Sequence, residues 1–465
     1  MKRVGYDKKT DSKKDAASEY LDNLTSQIRC AKARPFVEKE LRNHLDEQIE
    51  ANMADGMDEE EARASAVADM GDPVEVGIAM DRIHRPRLEW RLLILVAIIS
   101  AMGILFQEFL LMRVDASVAE RTLVSSHNYI PHVIIGVIAM AVVYRIDYTV
   151  IAKYARIIGI LLLITPLISL LWFSDSRPGV YISLGDFQNV RIQIDFFMYL
   201  YIPVYGAILY KFYGKGISGL VRALIWLEIP IFLCILLPAT SLAAELLVAL
   251  ALELTLAIVN GWFKLSKKKA VAGVWGIVLG IPVVLSLVTG VTLMARAGGS
   301  YAFRRIVNFL GGTDGIDYMT AMRKGMTADI GFINGNGKAA ALVDGNSDYI
   351  LTYLVSMYGV LITVIAVALV AVIIAAIFHA VFKQKNQLGL LIGFGCGLAL
   401  LLKTVLNILI NLNILPPGYT SLPFLSAGGA NVVLSYIFVG LVLGIYRYKD
   451  IYPKNKDVSI TDEAA

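Results

Sequence analysis

Cysteine is nearly absent: Cys30, Cys234 and Cys396 are the only three in 465 residues, they lie far apart, and no CxxC or Cys/His ligand spacing occurs. That excludes a disulfide framework and leaves burial as the expected role of the thiols. Histidine is equally sparse, with His44, His84, His127, His132 and His379 scattered and no HExxH, so a histidine metal site is not expected. Charge is the third shortage. Asp, Glu, Lys and Arg make up 18% of the chain, against about a quarter in an ordinary soluble domain. Apolar residues stand in their place, at 57%, which predicts a polytopic membrane protein. The first 30 residues are polar and hold no continuous apolar core. No secretory signal peptide is expected, and the N-terminus is expected to remain cytoplasmic.

The few charges are unevenly distributed. Residues 1–88 carry 15 basic and 19 acidic residues, leaving 28 and 20 of the chain's 43 and 39 for the remainder. A slightly acidic head thus precedes a basic membrane body. Residues 1–17 are Lys/Asp/Ser-rich, with little to bury, and read as a disordered tail. Residues 18–88 read as a helical cytosolic domain for regulation or docking. Phe36, Val37, Leu41, Leu45, Ile49 and Met53 fall on one helical face. Asp58 with Glu61, and Asp72 with Pro73 and Glu75, mark two helix starts. A core of this size is marginal alone, so the head is expected to lean on the membrane surface, another copy or a partner.

Crossing the hydrocarbon layer takes about 20 mostly apolar residues. Ten such runs follow, from 92–112 through 129–145, 149–172, 195–212, 220–237, 241–263, 270–294, 348–382 and 386–412 to 429–446. Basic residues collect on alternate connections: Arg145, Lys153 and Arg156; Lys211, Lys215 and Arg222; Lys264, Lys267, Lys268 and Lys269; Lys383 and Lys385; Arg447, Lys449, Lys454 and Lys456. The positive-inside rule then puts both termini in the cytoplasm, with a cytoplasmic tail from 451 to 465. Residues 295–347 form a long extracytoplasmic loop, rich in turn formers, of the length that usually carries function or is disordered.

Chemistry is best sought near that loop. Asp348, in NSDYILTYLVSMYG, stands where the outer loop enters a helix; a helix cap is the plain reading for that residue type. Arg305 is the strongest basic candidate for contact with phosphate oxygens, with Arg304, Arg323 and Lys324 near it in sequence. Glu228, Glu245, Glu253 and Lys403 lie inside apolar runs, where charge is costly without a polar cavity or a partner. Lys403 neutralising one of the glutamates and a functional polar cavity are both open readings. The NGNGK run at Asn334–Lys338 lacks the Walker spacing and reads as an ordinary mobile loop. LPPGYTSLPFLSAGGAN, residues 415–431, reads as an uncharged outer turn shaped by its prolines.

Taken in order, these segments resemble the SEDS family of cell-cycle proteins, FtsW, RodA and SpoVE, over about 92–450. YISLGDF at Tyr181–Phe187 is similar to a first-half motif of that family, and Pro238 and Leu242 to another. Arg305, Ile306, Phe309 and Leu310 match the motif opening the large loop. Asn407, Pro416, Leu422, Pro423, Phe424, Ser426, Gly428 and Gly429 match three later motifs. The head resembles short helical cytosolic domains that precede membrane segments in bacterial permease-like and regulatory proteins.

The resemblance implies an all-α fold with about ten transmembrane helices, residues 89–450, in a bacterial cytoplasmic membrane. It implies a peptidoglycan glycosyltransferase that polymerises lipid II at the outer face, beside a class B penicillin-binding protein that supplies the transpeptidase. Membrane lipids are its other partners, and nucleic acid is not one. Asp348 then falls on the family's essential acid, acting as base or through a divalent cation, Mg or Mn. Tyr181, Arg305, Pro423, Ser426, Gly428 and Gly429 are the implied substrate-binding residues. The chain departs from the family at Ser356 and Met357, where an acidic pair is usual, in NVRIQID, and at Lys403, which aligns with a glutamine. The alternative is a non-catalytic SEDS-like scaffold, or a binder or transporter of lipid-linked precursor, that regulates a cell-wall synthase.

Overall fold

A computed structural model describes residues 16–111, 129–171, 181–183, 191–236, 239–294, 327–337, 348–415 and 420–453. Apart from one two-stranded hairpin, its regular elements are helices, and the chain divides into two compact units.

The first unit joins the N-terminal 88 residues to Arg447–Ile460. Its helices are α1 (Ala16–Ser26), α2 (Arg34–Ala54), α3 (Glu59–Asp69) and α4 (Pro73–Ile83). Both expected starts are capped: Asp58 accepts from the Glu61 N–H, and Asp72 from those of Val74 and Glu75. These bonds satisfy donors that a helix N-terminus otherwise leaves open. Val37, Leu41, Leu45 and Ile49 are buried on one face of α2, but the stripe then runs to Asn52, not to Met53. Asn52 donates to the Ala62 carbonyl, while Met53 is 45% exposed. Leu45 and Ile49 meet Ala17, Ala62 and Ala66 in a small core whose alanines let α2 and α3 approach closely.

A core this small draws on the far end of the chain. Residues 451–453, expected to begin a tail, belong with a segment from Arg447 that packs into the head. Phe36 meets Tyr452 edge-on at 5.6 Å, and the Lys32 ammonium lies 4.7 Å from the centre of the Tyr448 ring. His84 Nδ1 donates to the Asp450 carbonyl at 2.7 Å, and Arg87 Nε lies 3.6 Å from the Asp450 carboxylate. Tyr448, Ile451 and Tyr452 are all buried. Tyr452→Ala is therefore expected to destabilise the head by about 2 kcal/mol through lost ring contact and burial. Amide hydrogen exchange on the full-length protein checks this: residues 16–83 should exchange faster than in the wild type.

The second unit contains residues 89–446. Its helices are α5 (Trp90–Leu111), α6 (Tyr129–Arg145), α7 (Tyr148–Leu171), α8 (Ile194–Tyr210), α9 (Ile217–Leu236), α10 (Thr240–Val259), α11 (Lys267–Met294), α12 (Ile350–Tyr358), α13 (Val360–Phe382), α14 (Gln387–Asn411) and α15 (Gly429–Arg447). Strands β1 (Tyr181–Ser183) and β2 (Arg191–Gln193) pair antiparallel between α7 and α8. Every predicted apolar run contains a helix. The run at 348–382 contains two, because Gly359, at φ +84°, breaks it into α12 and α13. Seven of the described helices are long and apolar enough to cross a membrane; α6 and α8 are apolar but shorter.

Three helices form the interior. α8 packs on α14, and α10 packs on both. The α8 residues from Tyr201 to Tyr210 are all buried, and the Tyr201 and Tyr205 hydroxyls donate to the Trp226 and Ala223 carbonyls of α9. By contrast α5 and α7 turn many large apolar side chains outward, among them Ile94, Ile98, Ile157 and Leu161. Such a surface suits lipid rather than water.

Candidate functional site

The site grows from one face of α14. Lys403, Asn407 and Asn411 recur every fourth residue, so they stack along a single polar stripe of an otherwise apolar helix. The stripe holds the entrance to α12. Asn407 Nδ2 and Asn411 Nδ2 both donate to the Asp348 carbonyl, at 3.0 and 3.1 Å. Asn411 Oδ1 in turn accepts from the Thr352 N–H at 3.0 Å and the Thr352 hydroxyl at 2.9 Å. The N-cap residue of α12, Tyr349, contributes no side-chain cap; α14 supplies an acceptor in its place. Asp348 itself is half-buried, its backbone anchored from across the bundle.

Below it on the stripe, Lys403 is buried. Its Nζ donates to Asn431 Oδ1 at 2.6 Å and to Ser421 Oγ at 3.4 Å, and stands 3.8 Å from the centre of the Tyr199 ring. The sequence left open that Lys403 pairs with a glutamate. Its hydrogen bonds go to neutral groups, while Asp195, Glu245 and Asp348 are its acidic neighbours. Six parts of the chain thus converge: α8 (Asp195, Tyr199), α10 (Glu245), the α12 entrance, α14, the turn before α15 (Ser421) and α15 itself (Asn431).

That turn carries Leu422, Pro423, Phe424, Ser426, Gly428 and Gly429. Residues 420–427 are all buried, Pro423 among them, while Gly428 and Gly429 are half-buried. Ser426 Oγ accepts from the Leu422 N–H at 2.8 Å, which closes the turn on itself. Phe424 adopts φ +65°, an uncommon conformation for a bulky residue. Its carbonyl accepts from the Tyr129 hydroxyl, and the Leu425 carbonyl accepts from Gln107 Nε2 at 3.1 Å. Gly429 is required by proximity: a Cβ there would overlap the His132 imidazole. Pro416 lies outside the described residues.

The NGNGK reading needs correction as far as it is described. Asn336 Oδ1 accepts from the Ser356 hydroxyl at 2.7 Å, and the Gly337 N–H donates to the Ser356 carbonyl at 2.9 Å. A Cβ on Gly335 would overlap that same carbonyl. The segment is docked on the corner between α12 and α13, not loose, and Ser356 takes part in the docking. Arg305, Arg304, Arg323 and Lys324 lie outside the described residues. Of Tyr181 the structure gives the backbone, in β1.

Glu253 marks a separate place. It lies two turns beyond Glu245, roughly 12 Å along α10. It is fully buried, and neither carboxylate oxygen has a hydrogen-bond partner among the described residues. Gly395 leaves the room, since a Cβ there would overlap Glu253 Oε1.

A divalent metal does not fit the Asp348 site well. No group of three His, Cys, Asp or Glu side chains among the described residues is placed to hold one. The positive charge amid Asp195, Glu245 and Asp348 is already that of Lys403. The sequence did not single out Asn411, Asn431 or Tyr199; the four-residue spacing of Lys403, Asn407 and Asn411 was the available signal for the first.

Comparison with known proteins follows the same outline. The sequence profile of the FtsW/RodA/SpoVE cell cycle proteins matches residues 89–451. The probable peptidoglycan glycosyltransferase FtsW of Borreliella burgdorferi is 30% identical over 129 residues, 28% of this chain and 35% of that protein. The protein of the same description from Enterococcus hirae is 30% identical over 128 residues, 28% of this chain and 32% of that protein. The chain therefore spans about a third of the length of these curated relatives. Among solved structures, a chain described under the structural coordination of polymerization and crosslinking by a peptidoglycan synthase complex superposes with TM-score 0.59. It is 16% identical, with 78% of this chain and 99% of that one covered. The rod shape determining protein RodA of Thermus thermophilus gives TM-score 0.54 at 16% identity, covering 78% and 97%.

Proposed function

Because this chain belongs to the FtsW/RodA/SpoVE family of cell cycle proteins, we propose that it is a peptidoglycan glycosyltransferase that polymerises lipid II at the outer face of the cytoplasmic membrane. The observation that carries this reading is the seating of Asp348: its backbone is fixed by two asparagines of α14 at the edge of a polar cluster inside an apolar bundle. A carboxylate so held serves as a general base for the acceptor sugar hydroxyl. The hydroxyl oxygen attacks the donor's anomeric carbon as its proton passes to Asp348. The bond from that carbon to the pyrophosphate breaks, and its electron pair leaves with the lipid-linked pyrophosphate. Holding the base by its backbone lowers the entropy cost of bringing it to the reacting hydroxyl.

Alternating basic connections support cytoplasmic placement of both termini, and hence of the head. The partner is a class B penicillin-binding protein, and Arg305 and Tyr181 are further substrate contacts. The head acts in regulation or docking. The test is polymerisation of lipid II by the purified protein, alone and with a candidate transpeptidase, followed by glycan length on a gel. Long glycan chains are expected. Absence of polymer under every condition, with partner binding retained, would instead establish the scaffold reading, which the loss of the family's acidic pair at Ser356 and Met357 favours.

A further inference from the structure

Lys403 stands where the resemblance places a glutamine, and that exchange brings one positive charge into the bundle. A buried ammonium is costly unless its donors are used and its charge is compensated. Partners of both kinds are present. An ammonium has three N–H donors; Asn431 and Ser421 take two, and the π face of Tyr199 covers a further direction. Asp195 and Asp348, from two other parts of the chain, supply the opposing charge. The side chain is thus fixed in place and is the cation of the cluster among the described residues.

A divalent ion in such a site would do two things: reduce the repulsion between the carboxylates and an incoming pyrophosphate, and offset the negative charge that gathers as that group leaves. Lys403 is placed to do both. The Asp195 and Asp348 carboxylates without it would repel an anionic lipid-linked donor, and a metal beside it would face its positive charge at short range. We propose that Lys403 takes the place of a divalent metal ion in this site, so that transfer from a lipid-linked pyrophosphate proceeds without one. This rests on the polymerase reading for its chemistry, but not for its charge arrangement.

The experiment has two arms. Polymerisation is measured in EDTA and across a Mg²⁺ or Mn²⁺ series for the wild type, Lys403→Gln and Lys403→Arg. The wild type should keep its rate in EDTA to within about twofold. Lys403→Gln should fall by about 10²-fold in EDTA, as on loss of an electrostatic stabiliser, and recover with millimolar metal, while Lys403→Arg stays metal-independent. Wild-type activity that is abolished by EDTA and restored by Mg²⁺ would overturn the proposal, as would Lys403→Gln matching the wild type throughout. The second arm needs no activity: Mn²⁺ binding is read by electron paramagnetic resonance on the purified, full-length protein. No stoichiometric site is expected in the wild type. One wild-type Mn²⁺ lost in Asp348→Asn would overturn the proposal even if the variants at 403 fail to fold. Failure of the polymerase reading appears differently, as wild-type protein that makes no polymer with or without metal.

Discussion

Asp348→Asn is expected to lower lipid II polymerisation by roughly 10²–10⁴-fold, the range a positioned general base contributes. The substitution keeps the size of the side chain and removes its ability to take a proton. Asn407 and Asn411 hold its backbone carbonyl, and the substitution leaves those two contacts in place. The thermal midpoint and the binding of lipid II should therefore stay near wild type while turnover collapses. Glycan yield under single-turnover conditions is the decisive measurement, and polymer made at the wild-type rate would remove Asp348 from the mechanism.

Asn411→Ala comes next in expected size, and it acts through position. The side chain touches Asp348 and Thr352 at once, so its loss strips the Thr352 N–H and hydroxyl of an acceptor and the Asp348 carbonyl of one of two donors. Leaving such groups unsatisfied costs about 1–3 kcal/mol each, and a displacement of 1 Å at a reacting group costs about 10²-fold in rate. Turnover is expected to fall by about that factor with KM little changed. Amide exchange at residues 350–354 should rise in parallel, a readout that loss of a proton acceptor alone would not move. Unchanged exchange together with unchanged turnover would show that α12 does not need its partner on α14.

The helices themselves were legible because membrane spans announce themselves by length and apolarity, and each predicted run contains one. The caps at Asp58 and Asp72 were legible for a local reason: both bonds close within three residues. What failed to show depended on distant chain. Nothing local in Tyr448 or Tyr452 points to Lys32 or Phe36, so the head's support was sought outside the molecule. The docking of Asn336 and Gly337 on Ser356 uses backbone groups and a small hydroxyl, which carry no pattern in sequence. Lys403 was conspicuous as a charge in an apolar run, and Glu245 does stand near it, but nothing in sequence pointed to Asn431, Ser421 and Tyr199 as the groups that hold it. Spacing along one helix fixes a face; it does not fix which residues of neighbouring helices that face meets.

The contact between the head and residues 447–453 also constrains how the chain is threaded through the bilayer. Two stretches that pack side by side lie on one side of the membrane, so the path from Leu88 to Arg447 must traverse it an even number of times. Among the described residues seven helices satisfy the length and apolarity requirements, and seven is odd. If all seven traverse, an odd number of further crossings is needed, and α6, α8 and α11 are the apolar helices among the described residues that can supply them.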